Sequence, residues 1–506
     1  MYYIFRGSGI IQGFSHTHLI TEPSCKGGLS SLKLLEKYSL PILIACLLFP
    51  LAMPNPIVGY AATATMVVFA FIHKKHLLFI LFMYFPARPL FMELNNGLTY
   101  TGDLIILILF LSMLIEKVKN KEWSTANYHF TVPFLLFCLV GVIAAFMTGV
   151  SLIPILFELR ALLVTFLLLY IIGELHLERK DILLFLEGML LFAVALSIHG
   201  LIEKGFSRTI LIPDSWGAWD LPPINNMRIY GAAANPNVFA LFLGIQFFFS
   251  FFLFQAAKKH RVWIFLSSAL IFGTLLFTYS RGTMIAFGMA SLLYIILTKN
   301  KPLFLYGLGS FLCGLLLIYF PISFTSSNDD LSASVPVDTM MIGSLPPEGD
   351  QALSKRFSEI YSDESLSQSA EWGRLYVVIK GMEIFMDHPV IGTGLATFGD
   401  SATLSFSSPI YQEYRIGENM YTDNQYIQVL VQTGLLGLAA VFGFVFLTYR
   451  TLLHSSNRSA ATFTICLLLA ALIAGLFYNI LEDKTFTLFF YSCLGFCLQK
   501  DIFSKG

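Results

Sequence analysis

Apolar segments of membrane-spanning length follow one another along almost the whole chain, and this repetition limits the folds that the sequence can adopt. In lipid, only helices and closed barrels satisfy all of their backbone hydrogen bonds, and a spanning helix needs about 20 mainly apolar residues. Hydrophobic residues make up 56% of the 506 residues and charged residues only 13%, which excludes a soluble fold of this length. The sequence therefore predicts an all-α polytopic membrane protein.

We interpret apolar runs of about 15 to 23 residues as spans, the shorter ones with interfacial ends, which predicts fourteen transmembrane helices. They lie at 39–54, 57–73, 77–93, 102–116, 131–149, 153–174, 182–202, 236–256, 262–279, 282–298, 302–320, 426–448, 460–479 and 485–499. The predicted organisation is a tail over 1–38, eleven helices with the loop 203–235 over 39–320, a large polar loop over 321–425, and three helices with a short tail over 426–506.

Basic residues are sorted into alternate connections, and this sorting predicts the orientation of the chain. Cytoplasmic loops carry an excess of Lys and Arg. The basic connections contain Lys74, Lys75, Lys117, Lys119, Lys121, Arg179, Lys180, Lys258, Lys259, Arg261, Lys299, Lys301, Arg450 and Arg458, and the tail adds Lys500 and Lys505. Both termini are therefore predicted to be cytoplasmic, whereas the loops 203–235 and 321–425 and the turn around Arg281 face outward.

The large polar loop is the region where chemistry is expected, because a chain that only spans a bilayer does not need it. Its fifteen acidic residues outnumber its five basic ones, which argues against nucleic acid as a partner. Asp423 lies directly before a helix that re-enters the membrane, so we predict that it is a catalytic base, with Glu418 and Glu413 as the next candidates. The alternative role for Asp423 is to cap that helix.

Several charged or polar side chains lie near the predicted outer ends of their helices, where each needs a partner or a purpose. Asp103, Glu158, Arg160, His199 and Arg281 share this depth, and together they predict an outward-facing polar cavity. Taken singly, Glu158 and Arg160 also fit an interfacial pair, and His199 fits an ordinary satisfied polar residue. Arg281 stands beside a helix N-terminus, which favours an anion site for phosphate or pyrophosphate over a simple turn cap.

Two further patterns concern the outer loops. Apolar residues recur at helical spacing after Gly373 and stop at Pro389, which predicts an amphipathic helix that lies on the outer membrane surface, packs against the bundle, or does both. Trp216 and Trp219 lie near carboxylates in the loop 203–235, so they fit either sugar stacking or an aromatic belt at the interface.

These residues resemble the O-antigen ligase and polymerase superfamily of membrane glycan-transfer enzymes over roughly residues 150–480. The similar features are Asn235-Pro236-Asn237 at the start of a span, Ser280-Arg281-Gly282 between two spans, Trp372-Gly373-Arg374 and Asp387-His388-Pro389-Val390-Ile391-Gly392-Thr393-Gly394 in the large loop, and Asp423-Asn424-Gln425-Tyr426 followed by Gly434-Leu435-Leu436-Gly437. Members of the family take a glycan from a polyprenyl pyrophosphate carrier at the outer face of the bacterial cytoplasmic membrane. They use neither a nucleotide sugar nor a metal or other cofactor.

The resemblance implies roles for particular residues. Arg281 and Arg160 would hold the pyrophosphate with Arg374 near the donor, and Asn424, His199, Trp216 and Trp219 complete the predicted substrate-binding set. Ligases of the family typically have His before the Asn, where this chain has Asp423, and this difference favours a repeat-unit polymerase over a lipid A ligase.

The function predicted from the sequence is polymerisation of polyprenyl-pyrophosphate-linked repeat units for a surface or secreted polysaccharide. Its partners would be the lipid-linked donor and acceptor, membrane lipid and other polysaccharide-assembly proteins. One alternative is a ligase of the same superfamily with a lipid or protein acceptor. The other is a lipid-oligosaccharide flippase, which should show two matching halves and no long outer loop.

Overall fold

The computed structural model describes residues 28–121, 128–175, 177–221, 223–324, 373–418 and 420–499. Most of the predicted N-terminal tail, the first half of the large polar loop and Trp372 lie outside these described residues. Within them the chain forms helices, turns and irregular connections and contains no strand, which confirms the predicted all-α class.

Nineteen α-helices are described, numbered here in chain order. They are α1 Gly28–Leu48, α2 Pro56–Val68, α3 Lys74–Tyr84, α4 Arg88–Leu94, α5 Thr101–Asn120, α6 Thr131–Met147, α7 Leu152–Glu174, α8 Arg179–Gly205, α9 Asp214–Gly217, α10 Pro223–Asn226, α11 Pro236–Ala256, α12 Arg261–Phe277, α13 Arg281–Thr298, α14 Lys301–Cys313, α15 Arg374–Asp387, α16 Ser401–Phe406, α17 Gln425–Leu453, α18 Arg458–Ala474 and α19 Lys484–Leu498. Short 3₁₀ segments join several of them, and α14 continues through a π-helical segment at Gly314–Tyr319.

Nine helices of the described chain are long and apolar enough to cross a membrane. Five of the predicted spans coincide with shorter apolar helices, at Tyr38–Ala52, Pro56–Val68, Thr131–Met147, Arg458–Ala474 and Lys484–Leu498. The chain is thus a polytopic helical membrane protein, and the count of fourteen spans stays a prediction. Large apolar side chains cover the outside of this bundle, as expected of helices that face lipid.

The third predicted span is interrupted where the sequence places its prolines. Helix α3 ends at Tyr84, a 3₁₀ turn contains Pro86, and α4 begins at Arg88, because proline cannot donate the hydrogen bond that would continue the helix. The Tyr84 hydroxyl donates to the Leu98 carbonyl at 2.6 Å, and Arg88 donates to the Thr99 carbonyl at 3.3 Å. The break therefore makes Arg88 the first residue of a new helix, α4.

The glycine-rich segment 389–394 of the large loop lies directly against the kink in α17. Gly434 has left-handed backbone angles (φ 59°) inside this helix, which frees neighbouring peptide groups from the helical hydrogen-bond pattern. Leu435 N donates to the Pro389 carbonyl at 2.9 Å, and Gly394 N donates to the Gln432 carbonyl at 2.8 Å. Leu395 N then reaches the Gly141 carbonyl of α6 at 3.0 Å. The Gly-Thr-Gly motif therefore anchors the large loop between α6 and α17.

Gly394 permits the closest of these approaches, and we expect Gly394→Ala to disrupt the anchor. Its φ is +103°, and an added Cβ would lie 2.0 Å from Ala145 N and 2.1 Å from Ala145 Cα. The left-handed backbone and the overpacking each cost about 1 to 3 kcal/mol. The free energy of unfolding should therefore fall by about 2 to 6 kcal/mol. The readout is a greater loss of monodisperse protein after mild heating than in the wild type. Gly417→Ala is the matched control, since a Cβ there meets nothing within 4 Å.

The predicted amphipathic helix is α15, Arg374–Asp387. Val377, Gly381 and Ile384 are buried on the face toward α17, where a Cβ on Gly381 would lie 2.4 Å from Ile427 Cγ2. Leu375, Ile379 and Met386 are exposed on the rest of its surface. The helix therefore packs against the bundle with one face, and its exposed apolar residues also fit the predicted contact with lipid.

Candidate functional site

The turn between α12 and α13 carries Arg281, the first residue of α13. Tyr279 has a left-handed φ of 51°, which is uncommon for a bulky residue. A Cβ on Gly282 would lie 2.6 Å from Phe477, so this start of α13 packs directly against the connection between α18 and α19. The Arg281 side chain is exposed, and no described residue accepts a hydrogen bond from it. The turn thus holds a guanidinium at a helix N-terminus, as the sequence predicts.

Arg228 fixes this turn from the loop 203–235. Its Nε donates to the Thr278 carbonyl at 2.8 Å, and its Nη2 donates to Asn237 Oδ1 at 2.7 Å. Asn235 caps α11 by accepting hydrogen bonds from Asn237 N at 2.8 Å and Val238 N at 3.2 Å. The Asn-Pro-Asn motif therefore has a structural role: it begins α11 and orients an acceptor for Arg228. Sequence reasoning did not select Arg228.

Asp423 lies beside Arg374 and Arg228 at the start of α17. Burial raises the pKa of its carboxyl above the ordinary value, while Arg374 and Arg228 act in the opposite direction. Its backbone has a left-handed φ of 46°, which aspartate tolerates better than most residues. No described residue donates a hydrogen bond to its carboxylate, which is only half-buried. The carboxylate is thus free to accept a proton from a bound molecule.

The residue that caps α17 is Asn424. Its Oδ1 accepts hydrogen bonds from Tyr426 N and Ile427 N, each at 3.1 Å, and its Nδ2 donates to the Leu476 carbonyl at 3.4 Å. The capping alternative for Asp423 is therefore wrong. Both polar ends of the Asn424 side chain are engaged within the protein, so its position supports the geometry around Asp423.

Arg374 completes the basic side of this site. Its guanidinium carbon lies 5.6 Å from the centroid of the Phe477 ring, within the range of a cation–π contact. Since Phe477 also contacts Gly282, the same ring separates Arg374 from the start of α13. We call Arg228, Arg281 and Arg374 the Asp423 arginines. Two of them, Arg228 and Arg374, act on the Asp423 carboxylate, and Arg281 begins the helix on the far side of the Phe477 ring.

The other candidates from the large loop and from α8 lie elsewhere. Glu418 is exposed, and no hydrogen bond or ion pair joins it to the Asp423 arginines. His199 Nε2 contacts the Leu211 carbonyl at 2.9 Å, and its buried Nδ1 has no hydrogen-bond partner in the described chain. This histidine thus ties the loop 203–235 to α8, which matches the ordinary polar role considered for it.

The two tryptophans stack on each other, with ring centroids 5.6 Å apart. Trp216 is only 6% exposed, whereas Trp219 is 36% exposed and its ring centroid lies 5.7 Å from that of Tyr230. The Glu203 carboxylate below them accepts hydrogen bonds from Tyr230 N at 3.1 Å and from Arg208 Nε at 3.1 Å. Trp216 is therefore a packing residue of the folded loop, and only Trp219 retains a surface that a sugar can reach.

Three buried carboxylates form a cluster that sequence reasoning missed. Glu158 is 1% exposed and lies near Asp400 and Glu482, which are also buried. This burial contradicts the alternative of an interfacial pair in which the Glu158 side chain reaches toward water. The Glu482 carboxylate accepts hydrogen bonds from Ser401 N at 2.9 Å, Ser401 Oγ at 2.7 Å and Gln428 Nε2, but Glu158 Oε2 has no partner in the described chain.

The chemistry of this cluster follows from its burial. Loss of water and the nearby Asp400 raise the pKa of Glu482 to about 7, although the hydrogen bonds from Gln428 and Ser401 act in the opposite direction. Burial also raises the pKa of Asp400. Burial and mutual repulsion therefore both favour the protonated form of the Glu482 carboxyl. No group of His, Cys, Asp or Glu in the described ranges is arranged to hold a metal ion.

Arg160 forms an ion pair with Asp103, and the sequence predicts both residues near the outer ends of their helices. Arg160 does not contact Arg281. Its Nε is 3.6 Å from Asp103 Oδ2. Lys484, at the start of α19, lies 2.6 Å from the other oxygen of the same carboxylate. Arg160 and the Asp423 arginines therefore form two separate groups of positive charge.

The fold and this site define a polytopic helical membrane protein with a cationic, carboxylate-bearing surface at one end of its bundle. Residues 266–442 match the family model Wzy_C, described as O-antigen ligase. The match includes Arg281, Arg374, Asp423 and Asn424, and it confirms the resemblance to the O-antigen ligase and polymerase superfamily that the motifs indicate. No curated protein matches the chain. Arg228, Arg160 and Lys484 lie outside the matched residues.

Proposed function

We propose that the protein is a repeat-unit polymerase of this superfamily, which transfers a glycan from a polyprenyl pyrophosphate carrier to an acceptor sugar at the outer face of a bacterial cytoplasmic membrane. The observation that carries this proposal is the group formed by Asp423, Arg374 and Arg228, with Arg281 across the Phe477 ring. It combines a carboxylate free of protein hydrogen bonds with guanidinium groups suited to pyrophosphate oxygens. A general base and an anion site in contact are what glycosyl transfer from a pyrophosphate requires.

In the proposed reaction, Asp423 accepts the proton of the acceptor hydroxyl. The hydroxyl oxygen bonds to the anomeric carbon of the donor while the bond from that carbon to the pyrophosphate oxygen breaks. The carrier pyrophosphate leaves with the bonding electrons, and its developing charge is stabilised by fixed positive groups. Arg281 and Arg374 have no protein acceptor for their guanidinium groups in the described chain and would bind it directly. Arg228 is committed to Thr278 and Asn237 and acts as a positioning residue.

The position of Asp423 suits a base that works near neutral pH. A carboxyl with an ordinary pKa is a weak proton acceptor, and burial raises the pKa of Asp423. The opposing arginines keep the carboxylate form populated. Trp219 and the exposed part of the loop 203–235 would contact the sugars, because an aromatic surface beside polar groups binds sugar rings.

Ligation to a lipid or protein acceptor is the second candidate, since the matching family model is described as O-antigen ligase. Both activities use the same donor and the same leaving group, so the Asp423 site serves either. They differ in the acceptor: a polymerase extends a glycan that is itself carried on pyrophosphate. Aspartate in place of the histidine typical of family ligases supports the polymerase.

The experiment that tests the proposal uses the purified protein in bilayer nanodiscs with a polyprenyl-pyrophosphate-linked repeat unit as the only substrate. We expect a ladder of products that differ by one repeat unit, with release of polyprenyl pyrophosphate. Transfer only to an added lipid or protein acceptor would establish the ligase instead. If no acceptor leads to release of polyprenyl pyrophosphate, glycan transfer by this chain is refuted.

A further inference from the structure

A second group of positive charges lies apart from the Asp423 arginines and shares no residue with them. Lys484 Nζ is 2.6 and 2.9 Å from the two oxygens of Asp103, and Arg160 Nε is 3.6 Å from Asp103 Oδ2. Arg88, at the start of α4, is close enough to Lys484 to repel its ammonium group. We call Arg88, Arg160 and Lys484 the Lys484 group. Four helices contribute to this arrangement, namely α4, α5, α7 and α19.

The Lys484 group has more positive charge than its protein partner can neutralise. Arg160 and Lys484 share one carboxylate, Asp103, and Arg88 lies near Lys484, although the side chains of Arg160 and Lys484 are only 29% and 12% exposed. Glu158 also lies near Arg160, but its stronger electrostatic neighbours are Glu482 and Asp400. Excess charge in a poorly hydrated site is costly unless an anion compensates it. The group is therefore incomplete without a negatively charged ligand.

The donors of this group indicate the chemistry of that ligand. Arg160 Nε is buried and has no hydrogen-bond acceptor in the described chain. The guanidinium carbon lies 4.7 Å from the centroid of the Phe157 ring and 6.0 Å from that of Tyr100. These aromatic contacts hold the planar group in place, and a fixed guanidinium binds phosphate oxygens through two parallel hydrogen bonds. A phosphate or pyrophosphate group fits this site better than a chloride, which has no pair of oxygens for the two hydrogen bonds.

Tyr421, two residues before Asp423, has both Asp423 and Glu158 among its charged neighbours. Glu158 in turn precedes Arg160 by two residues on α7. Tyr421 therefore links the surroundings of the proposed base to helix α7, which carries Arg160.

We infer that the Lys484 group binds the carrier pyrophosphate of the acceptor, while the Asp423 arginines bind that of the donor. This inference rests on the proposed polymerase function, in which both reacting glycans are attached to carriers. Two carriers bring two pyrophosphates, and only the donor's pyrophosphate leaves during the reaction. The acceptor's pyrophosphate stays intact, so the Lys484 group needs only to bind and position it.

The test separates the two substrates by chemical blocking. The donor is a polyprenyl-pyrophosphate glycan whose terminal hydroxyl is blocked, so that it can only donate. Two acceptors are compared: the repeat unit on polyprenyl pyrophosphate, and the same repeat unit as a simple alkyl glycoside, which has no phosphate. We expect the wild-type protein to favour the pyrophosphate acceptor by about 10- to 100-fold in kcat/KM, as charge-assisted contacts to phosphate imply.

Arg160→Gln is the informative variant, because Lys484 still neutralises Asp103 when Arg160 is removed. We expect its kcat/KM for the pyrophosphate acceptor to fall toward the value for the alkyl glycoside, through KM, while KM for the blocked donor stays the same. Lys380→Gln is the control, since Lys380 lies in α15 and pairs only with Glu383, at 2.8 Å. An unchanged acceptor preference in Arg160→Gln, or a parallel loss for both acceptors and the donor, would overturn the inference.

Phospholipid headgroups offer the same phosphate chemistry. A separate experiment must therefore distinguish a lipid headgroup from the acceptor pyrophosphate as the bound anion. The assay is repeated in nanodiscs with and without phosphatidylglycerol. Equal competition by this lipid with the pyrophosphate acceptor would show that the site is a phospholipid site and would contradict the assignment to the acceptor. If the wild-type protein transfers to neither acceptor, the proposed function itself fails, and this result differs from a loss of preference.

Discussion

Asp423→Asn should lower the rate of glycan transfer by about 10²- to 10⁴-fold, the range expected when a general base is removed. Asparagine has nearly the same shape as aspartate and also tolerates the left-handed backbone at this position, where φ is 46°. Helix α17 keeps its cap, because Asn424 supplies it. The substitution therefore removes the proton acceptor and leaves the local fold. The measurement is the rate of product formation from a purified lipid-linked repeat unit.

The pH dependence gives this prediction a second readout. A base must be deprotonated to act, so the wild-type rate should fall as the pH decreases through the pKa of Asp423, which burial raises above its ordinary value. The residual rate of Asp423→Asn should lack this acidic limb. Glu383→Gln serves as the control, since Glu383 is an exposed residue of α15 outside the site. Full activity in Asp423→Asn together with loss of activity in Glu418→Gln would move the base to Glu418.

The sequence predicts the parts of this protein that depend on local patterns. Apolar runs predict the helices, because a lipid environment allows few other structures. The position of Arg281 at the start of α13 follows from the two spans that flank it. The helix predicted between Gly373 and Pro389 follows from the spacing of its apolar residues, and the structure contains it as Arg374–Asp387. Each of these features depends on residues that are neighbours along the chain.

The remaining parts of the site depend on contacts between distant segments. Glu158, Asp400 and Glu482 come from α7, the large loop and the connection before α19, and no local pattern brings them together. Arg228 lies in an irregular loop, and its role becomes evident only from its bonds to Thr278 and Asn237. A usable signal existed for Glu158, since a carboxylate within an apolar span needs a buried partner. The sequence could not identify that partner.

Exposure was the hardest property to predict for aromatic and charged residues. Trp216 and Trp219 are three positions apart and have the same side chain, but only Trp219 reaches the surface to any extent. The difference arises from the way the loop 203–235 folds over the buried Glu203 carboxylate, which binds the backbone of Tyr230 and Gly231. Such a loop is organised by a buried polar group and not by a periodic pattern, so sequence periodicity contains no information about it.

Arg281→Ala should lower kcat for glycan transfer by about 10²- to 10³-fold, comparable to the loss of one fixed donor that stabilises a developing negative charge. Arg281→Lys should recover only part of this activity, because an ammonium group keeps the charge but cannot give two parallel hydrogen bonds to pyrophosphate oxygens. The effect should appear mainly in kcat, since charge on the leaving pyrophosphate increases as the glycosidic bond breaks. The measurement is the steady-state rate with a blocked donor and a fixed, saturating acceptor.

The fold around Arg281 makes this variant a clean test. Its side chain is exposed and binds no described residue, and the turn is held by Arg228 through the Thr278 carbonyl, so removal of the Arg281 guanidinium leaves those contacts in place. Arg261→Ala is the matched control, because Arg261 lies at the opposite end of α12, where it contacts Phe254. Wild-type kcat in Arg281→Ala would show that Arg281 does not act on the leaving group, and Arg374 would then be the remaining guanidinium able to bind the pyrophosphate directly.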